Sequence, residues 1–545
     1  MAKLIKTLWL VGIVLSLAAV VPCATAQTTG MADNQTGMPA KQSGAAPLGI
    51  VDNTVDLPLE SVLMLALKNN LDITFARMQP DVAETDIQRE EGTFDTTFTS
   101  ELSKYRERKQ VANVLAGSTE DNEDAEIWQE QYNFDAGLKK MFTLGTQAEL
   151  NFNTKRSTSN LDFAGLVPEY YSELTLGLTQ PLLRDFGVEI GRSFIKIANL
   201  NYEVSELQFR QQVMNVLYEV EALYWDLYFR IADLDNKEKS LERASDFQRT
   251  FRIRIDAGTL APIEIYQADA EVALRTQEVI VAESWVQRAE DNLKAALDLY
   301  NDKRFWDVKL EPVDMPEKSL IQPVPSECIA IALEKRPDFK QAQLGMDIRN
   351  VELRYSKNQL MPKLDLIGSI GTNGLSGRNS GNSFGGGPPG DSPWEGSRRD
   401  SLDYMTDRDY YTYQVGVRLE FPLENRLAKS QHRRARVQAA QANVDLQSVE
   451  NTIINEVRNA IRVIETSRRV IDSSYATVKF SKEKLKAEEK KYEVGMSTAF
   501  AVLEYQSDLT SAESDLAFAY AEHRKSLVDL MRVMGTLLEE KGLVL

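Results

Sequence analysis

YYTYQVGVRLEFPLENRLAKS, residues 410–430, changes its periodicity around a single proline. Up to that point Tyr411, Tyr413, Val415, Val417, Leu419 and Phe421 alternate with polar or small residues, as in a strand with one apolar face. Pro422 follows, and within a few residues the sequence reads as a long charged helix, with no turn cluster between the two. A strand that hands its direction straight to a helix suggests one wall continuing into another. Proline suits that place, because it ends strand pairing and is tolerated where a helix starts.

The chain has 545 residues, 26% of them charged and 43% hydrophobic, a composition that excludes both a disordered chain and a helical membrane protein. Lys3 and Lys6 precede an apolar run from Leu8 to Val21 that is short for a bilayer span, and Ala24-Thr25-Ala26 is a small-residue cleavage site. Residues 1–26 are therefore expected to be a secretory signal peptide. Cys23 leaves a lipidated start open, although Pro22 occupies the place where such signals carry a small residue. Cys328 would then have no intramolecular disulfide partner, and its neighbours Ile329, Ile331 and Leu333 make it a packing residue. The formal charge of −18 becomes −20 once Lys3 and Lys6 leave, which argues against nucleic acid as a partner.

The chain is written twice. LESVLMLALKNNLD at 59–72 matches PSECIAIALEKRPD at 325–338, and each is expected to open a helix of about 35 residues. Strand-like segments come next. LTQPLL, with Pro181, matches LEFPLE, with Pro422, and each proline leads into a very long amphipathic helix. The helices end at AGTLAPIEIYQAD, with Gly258, and VGMSTAFAVLEYQSD, with Gly495, where the chain turns into a second helix. The proline-to-glycine spacing is 77 residues in one copy and 73 in the other, a difference of about one helical turn. Apolar steps of three and four, such as Val213, Val216, Leu217 and Val220, or Ile453, Val457, Ile461 and Ile464, are those of coiled-coil packing. The expected divisions are a linker over 27–50, a first repeat over 51–304, a linker over 305–324 and a second repeat over 325–545.

Six segments read as strands: 94–105, 132–140, 145–154, 171–180, 363–371 and 411–421. About ten residues, tilted, cross a bilayer's hydrocarbon, but a barrel in lipid needs about eight strands or more. Either the strands form a small soluble sheet, or several chains pool them into one barrel. The acidic stretch 117–130 and the Gly- and Pro-rich tract 373–399 read as exposed loops between strands.

The duplicated order of Ala-Leu-x-x-Asn/Arg-x-Asp helix, strands, x-x-Pro-Leu, long helix, glycine turn and helix resembles the TolC-like outer-membrane efflux proteins over residues 55–540. The resemblance implies a mainly α fold with β structure. A homotrimer would pool its strands into an outer-membrane β-barrel that continues into a periplasmic α-helical barrel. Pro181 and Pro422 would mark the barrel-to-tunnel junction, and Gly258 and Gly495 the hairpin tips. It implies a passive efflux or type I secretion conduit, docked to a periplasmic adaptor and an inner-membrane pump or secretion ATPase. The family's plan has one strand pair per half, so the segment around 138–153 is an added hairpin. In the family, acidic residues and polar bonds close the tunnel's mouth just past the tips. By position those roles fall on Glu264, Tyr492 and Glu504, while Ala501 and Ser497 depart from the pattern.

No phosphate-binding glycine loop, nucleophile elbow or metal-spaced cluster is present, so neither an enzyme nor a cofactor is expected. His432 and His523 read as surface positions on charged helices. The rival reading is a secreted periplasmic coiled-coil adaptor without a channel. Such an adaptor would carry a single hairpin flanked by small β-domains.

Overall fold

The computed structural model describes residues 50–51, 53–110, 126–161, 164–258, 261–318, 322–380 and 392–543. The expected signal peptide, Cys23 and residues 27–49 lie outside them. The strands are β1 (Ile50–Val51), β2 (Thr54–Leu57), β3 (Thr97–Gln110), β4 (Glu126–Met141), β5 (Gln147–Ser159), β6 (Leu166–Pro181), β7 (Lys309–Pro312), β8 (Lys363–Asn379) and β9 (Tyr411–Glu420). The first helices are α1 (Leu59–Asn69), α2 (Leu71–Glu91), α3 (Val188–Gly191), α4 (Ser193–Asp256) and α5 (Ile265–Ala296). The second half supplies α6 (Pro325–Lys335), α7 (Pro337–Asn358), α8 (Arg398–Asp407), α9 (Arg426–Glu493), α10 (Ala499–Met534) and α11 (Leu537–Glu540). The chain divides into two compact units, and neither is one of the sequence repeats, since each draws on both halves.

The first unit takes residues 87–197 and 350–437 and is built on one six-stranded sheet, in the order β3-β4-β5-β6-β8-β9. All six segments expected to be strands are in it, and every neighbouring pair is antiparallel. Directly paired residues share a face. Leu174, Leu176 and Leu178 of β6 therefore lie on the same side as Leu150 and Phe152 of β5 and Leu366 and Ile370 of β8. Val415, Val417 and Leu419 continue that side on β9, and they are 77%, 66% and 67% exposed. The opposite side carries Asn151, Asn153, Glu173 and Thr175.

Parts of the two expected loops are regular structure, and residues 381–391 of the second lie outside the described residues. Glu126 to Glu130 belong to β4, and residues 117–125 lie outside the described residues. The Gly-rich tract begins as the end of β8 and finishes as the start of α8. A capping box of Ser397 and Asp400 starts α8, which packs on the sheet through Ser401, whose Oγ is 3.0 Å from Ser172 Oγ. Gly374 allows the approach, since a Cβ there would sit 2.0 Å from the Ser401 carbonyl oxygen.

At the opening stretch, β9 stops at Glu420 and α9 begins at Arg426 after a short link that holds Pro422, bends at Leu423 and Glu424, and sets Asn425 at φ 43°, so the strand does not pass straight into the helix. In the first copy Pro181 is the last residue of β6, and the short α3 precedes α4.

The second unit takes residues 50–51, 53–86, 198–349 and 438–543 of those described, and it is helical apart from a three-stranded sheet, β1-β2-β7. The long helices α4 and α9 have 64 and 68 residues. Val213, Leu217, Val220, Tyr224 and Trp225 of α4 are buried with Val62 and Ala66 of α1 and Leu293 of α5. Ile453, Val457, Ile461 and Ile464 of α9 are buried with Cys328 and Ala332 of α6. Each such large side chain stabilises the fold by about 1.5–3 kcal/mol. Burial also raises the Cys328 thiol's pKa, as an inert packing role requires.

Three details depart from expectation. The 305–324 segment holds β7, which runs parallel to β2, and its Asp314 carboxylate accepts from the Leu59 amide at the start of α1 at 2.7 Å. The expected 35-residue helices each break once, at Asn70 and Arg336. The Asn70 side chain caps α2 by accepting from the Asp72 and Ile73 amides at 2.9 and 3.1 Å. Finally, His523 is fully buried, with Nδ1 2.9 Å from Ser467 Oγ, because its helix face packs inward. His432 is half-buried, 3.2 Å from Ser356 Oγ.

Candidate functional site

The two helical hairpins of the second unit turn on glycines in the left-handed region, Gly258 at φ 74° and Gly495 at φ 77°. Gly495 completes a paired C-terminal cap: its amide donates to the Tyr492 carbonyl at 3.1 Å, and Met496 donates to Lys491 at 2.8 Å. The Gly258 amide makes the equivalent bond to Ile255 at 2.8 Å. Thr498 then caps α10, its hydroxyl accepting from the Ala501 amide. Pro262 opens the turn before α5.

These turns bring the two tips together. Phe251 of α4, Ala268 of α5 and Ala499 of α10 share one small core, with Phe247, Ile265 and Tyr492 around it. The Tyr492 ring lies 5.5 Å from Phe247 and 6.1 Å from Phe251, and the Arg254 guanidinium sits over it at 5.1 Å. Burial pushes the Tyr492 phenol's pKa up. Arg254 offsets part of that, and the Glu264 carboxylate acts in the same direction as burial. The charge of Glu264 therefore reaches the Tyr492 phenol, more weakly than that of Arg254.

The expected hydrogen bond between Glu264 and Tyr492 is not formed. The Tyr492 hydroxyl is buried without a hydrogen-bond partner, and aromatic stacking under Arg254 holds the ring instead. Arg254 stands four residues before Gly258 and Tyr492 three before Gly495, so similar depth from the tips was the signal that could have found it. Phe247 and Phe251 give no such signal, because aromatic residues at helical spacing read equally well as ordinary core.

Ser497, which departs from the family's basic position, has its own role. Its hydroxyl donates to Glu488 at 2.5 Å, and Lys491 pairs with the same carboxylate at 2.9 Å. Both contacts hold the Glu488 carboxyl below its ordinary range, Ser497 first. Glu504 is exposed on α10, and Ala501 one turn earlier is half-buried. Exposed apolar side chains surround the turns: Ile263, Tyr266, Val494, Met496 and Phe500. Among the described residues no cluster of His, Cys, Asp or Glu has the arrangement of a metal site.

The sequence profile described as "Outer membrane efflux protein" matches residues 143–298 and 328–536, more than half of the chain and both halves of the duplication. The chain belongs to the outer membrane efflux protein family. Two relatives agree with the assignment. Outer membrane efflux protein BepC of Brucella suis is 22% identical over 58% of this chain and 61% of its own length. Outer membrane protein TolC of Escherichia coli is 22% identical over 54% of this chain and 55% of its own length. The matched part therefore spans less than two thirds of either relative. Among solved structures, the Campylobacter jejuni CmeC outer membrane channel superposes at a TM-score of 0.60 with 17% identity, covering 88% of this chain and 86% of CmeC. The open state of the Neisseria gonorrhoeae MtrE channel gives 0.57 with 16% identity, covering 88% and 89%. This efflux protein shares their fold.

Proposed function

We propose that this efflux protein is the outer-membrane conduit of an envelope-spanning efflux or type I secretion system. It works as a homotrimer gated at its periplasmic mouth. The observation that carries the reading is the six-stranded sheet, apolar on one side and polar on the other. One side suits lipid and the other an aqueous pore. An open sheet cannot remain in lipid with its edge groups unpaired, so several copies must close it.

The hairpin tips form the mouth in this reading. The Phe247, Phe251, Tyr492 and Arg254 stack joins the two hairpins within one chain. The exposed Ile263, Tyr266, Val494, Met496 and Phe500 give a periplasmic adaptor an apolar surface to dock on. An inner-membrane pump or secretion ATPase would supply the energy, since the conduit itself is passive. Pro181 and Pro422 mark where the barrel wall gives way to the tunnel.

Cell fractionation combined with planar-bilayer recording tests the proposal. The protein is expected in the outer-membrane fraction, and the purified channel is expected to conduct and prefer cations. Three exposed Glu504 carboxylates around one mouth would concentrate cations, so Glu504→Gln should weaken the preference. Recovery in the soluble periplasmic fraction with no conductance would instead favour a coiled-coil adaptor.

A further inference from the structure

The strand pair that exceeds the family's basic plan is continuous with the rest of the sheet. One residue from each strand makes a row across it: Phe98, Leu138, Leu150, Leu176, Ile370 and Tyr413, all apolar and all on one side. The next row, on the other side, is Thr99, Gly137, Asn151, Thr175, Gly371 and Thr412, with no large apolar residue. A hairpin folded away from the membrane would have no reason to keep this two-sided pattern in step with its neighbours. One register slip on β4 or β5 would put Leu138 or Leu150 on the polar side.

The hairpin is also locked in place at its turn. The Gly187 amide donates to the Leu144 carbonyl at 3.2 Å. A Cβ on Gly191 would lie 2.0 Å from the Thr143 carbonyl oxygen, and one on Gly145 would lie 2.4 Å from the Asp185 carbonyl oxygen. Both glycines are required for the turn between β4 and β5 to seat against the segment that follows β6.

The two outer strands are bare by comparison. Every residue of β3 except Ser103 and Glu107 is exposed, and so is every residue of β9 except Gly416. Among the described residues each has a single hydrogen-bonded neighbour. With six strands, all antiparallel to their neighbours, β3 and β9 run in opposite directions. The β9 edge of one copy can therefore pair with the β3 edge of the next in the same antiparallel manner, and the apolar side stays outward.

We propose that the added hairpin is part of the membrane wall, and that β9 of each copy pairs with β3 of the next, so that three copies of six strands close one 18-stranded barrel. This rests on the trimeric channel reading above and fixes the size of its pore. A barrel's diameter grows roughly linearly with strand number, so the bore is about 1.5 times that of a trimer with four strands per chain. At that size side chains cannot fill the interior, and an aqueous channel remains. The Thr99 to Thr412 row and its polar neighbours line it, which suits bulky hydrophilic cargo.

Disulfide trapping in native outer membranes tests this. Cysteines at Thr99, Glu101 or Ser103 of β3 are combined pairwise with cysteines at Thr412, Gln414 or Gly416 of β9, all on the polar side. At least one pair should come within disulfide reach and give a covalent trimer on a non-reducing gel. In parallel, Leu150→Cys should resist a membrane-impermeant maleimide as Val417→Cys does, while Asn151→Cys is modified. Trapping between Asn151→Cys of β5 and a β9 cysteine of a neighbouring copy, with β3 silent, would show that the wall closes on four strands per chain. Ready modification of Leu150→Cys would place the added hairpin outside the lipid. Either result overturns the 18-stranded wall and leaves a trimeric channel standing. Monomers with no trapping at any pair would remove the trimer as well.

Discussion

The two halves of this efflux protein keep one repeated part nearly constant and let the other vary. The long helices have 64 and 68 residues, whereas the first half carries four strands of the large sheet and the second carries two. Each constraint has a geometric cause. Four extra residues turn a helix by only about 40°, so the apolar face and the depth of the tip are almost preserved. A change of two residues would point Tyr224 and Trp225 away from their core. A strand region can grow only by pairs, because one added strand would reverse the chain's direction and send the next helix the wrong way. The hairpin β4–β5 in the first half meets that condition. The second half instead places α8 between its two strands and leaves their number unchanged.

The largest expected effect comes from charge on the apolar side of the sheet. Leu150→Asp in the added hairpin and Val417→Asp in β9 should each cost roughly 2–4 kcal/mol per chain near the bilayer midplane. Both should deplete assembled protein in outer-membrane extracts to a similar degree, while Asn151→Asp on the polar side assembles normally. Normal assembly of Leu150→Asp alone would mean that the two halves are not equivalent parts of one wall.

The tips come next. A β-branched residue in the left-handed region costs about 1–2 kcal/mol or more, so Gly258→Val and Gly495→Val should lower thermal stability comparably and make the tips more sensitive to proteolysis. A marked asymmetry would show that one hairpin sets the mouth and the other follows.

Tyr492 sharpens the same point at single-residue scale. Its hydroxyl makes no hydrogen bond, so Tyr492→Phe should leave resting conductance nearly unchanged. Tyr492→Ala removes the stack on Phe247 and Phe251 and should raise conductance several-fold. Arg254→Gln should fall between the two, because the cation–ring contact is worth about 0.5–2 kcal/mol at a half-buried site. A large effect of Tyr492→Phe would restore the hydrogen-bonded latch with Glu264.

His523 gives the smallest expected effect. Burial, then the charges of Arg524, Lys318 and Arg468, holds its imidazole below the ordinary value of 6.5. The unfolded chain therefore takes up a proton that the folded chain resists. The stability this contributes is present above about pH 6.5 and is lost as the pH falls below it. Melting curves between pH 7.5 and 5.5 should show the decline, and His523→Gln should flatten it.

Much of this architecture was legible in the sequence because it is periodic. Alternation along Tyr411 to Phe421 and steps of three and four along Val213 to Val220 report burial directly, and all six strands were found. The duplication made Gly258 and Gly495 visible as equivalent turns. Legibility stopped where a contact depends on distant chain. The pairing of β7 with β2 joins segments about 250 residues apart and is too short to show a period. The burial of His523 follows from which face of α10 packs inward, and polar neighbours hid it. At the hairpin tips, the hydrogen bond expected between Glu264 and Tyr492 is absent, and the Tyr492 ring stacks on Phe247 and Phe251 under Arg254 instead.

Every property proposed for the pore depends on closure of the sheet by copies of the same chain in the outer membrane. Native mass measurement of the protein extracted from outer membranes in mild detergent tests it most directly. A complex of three chains that requires detergent to stay in solution is the expected result. A monomer that stays soluble without detergent would contradict it.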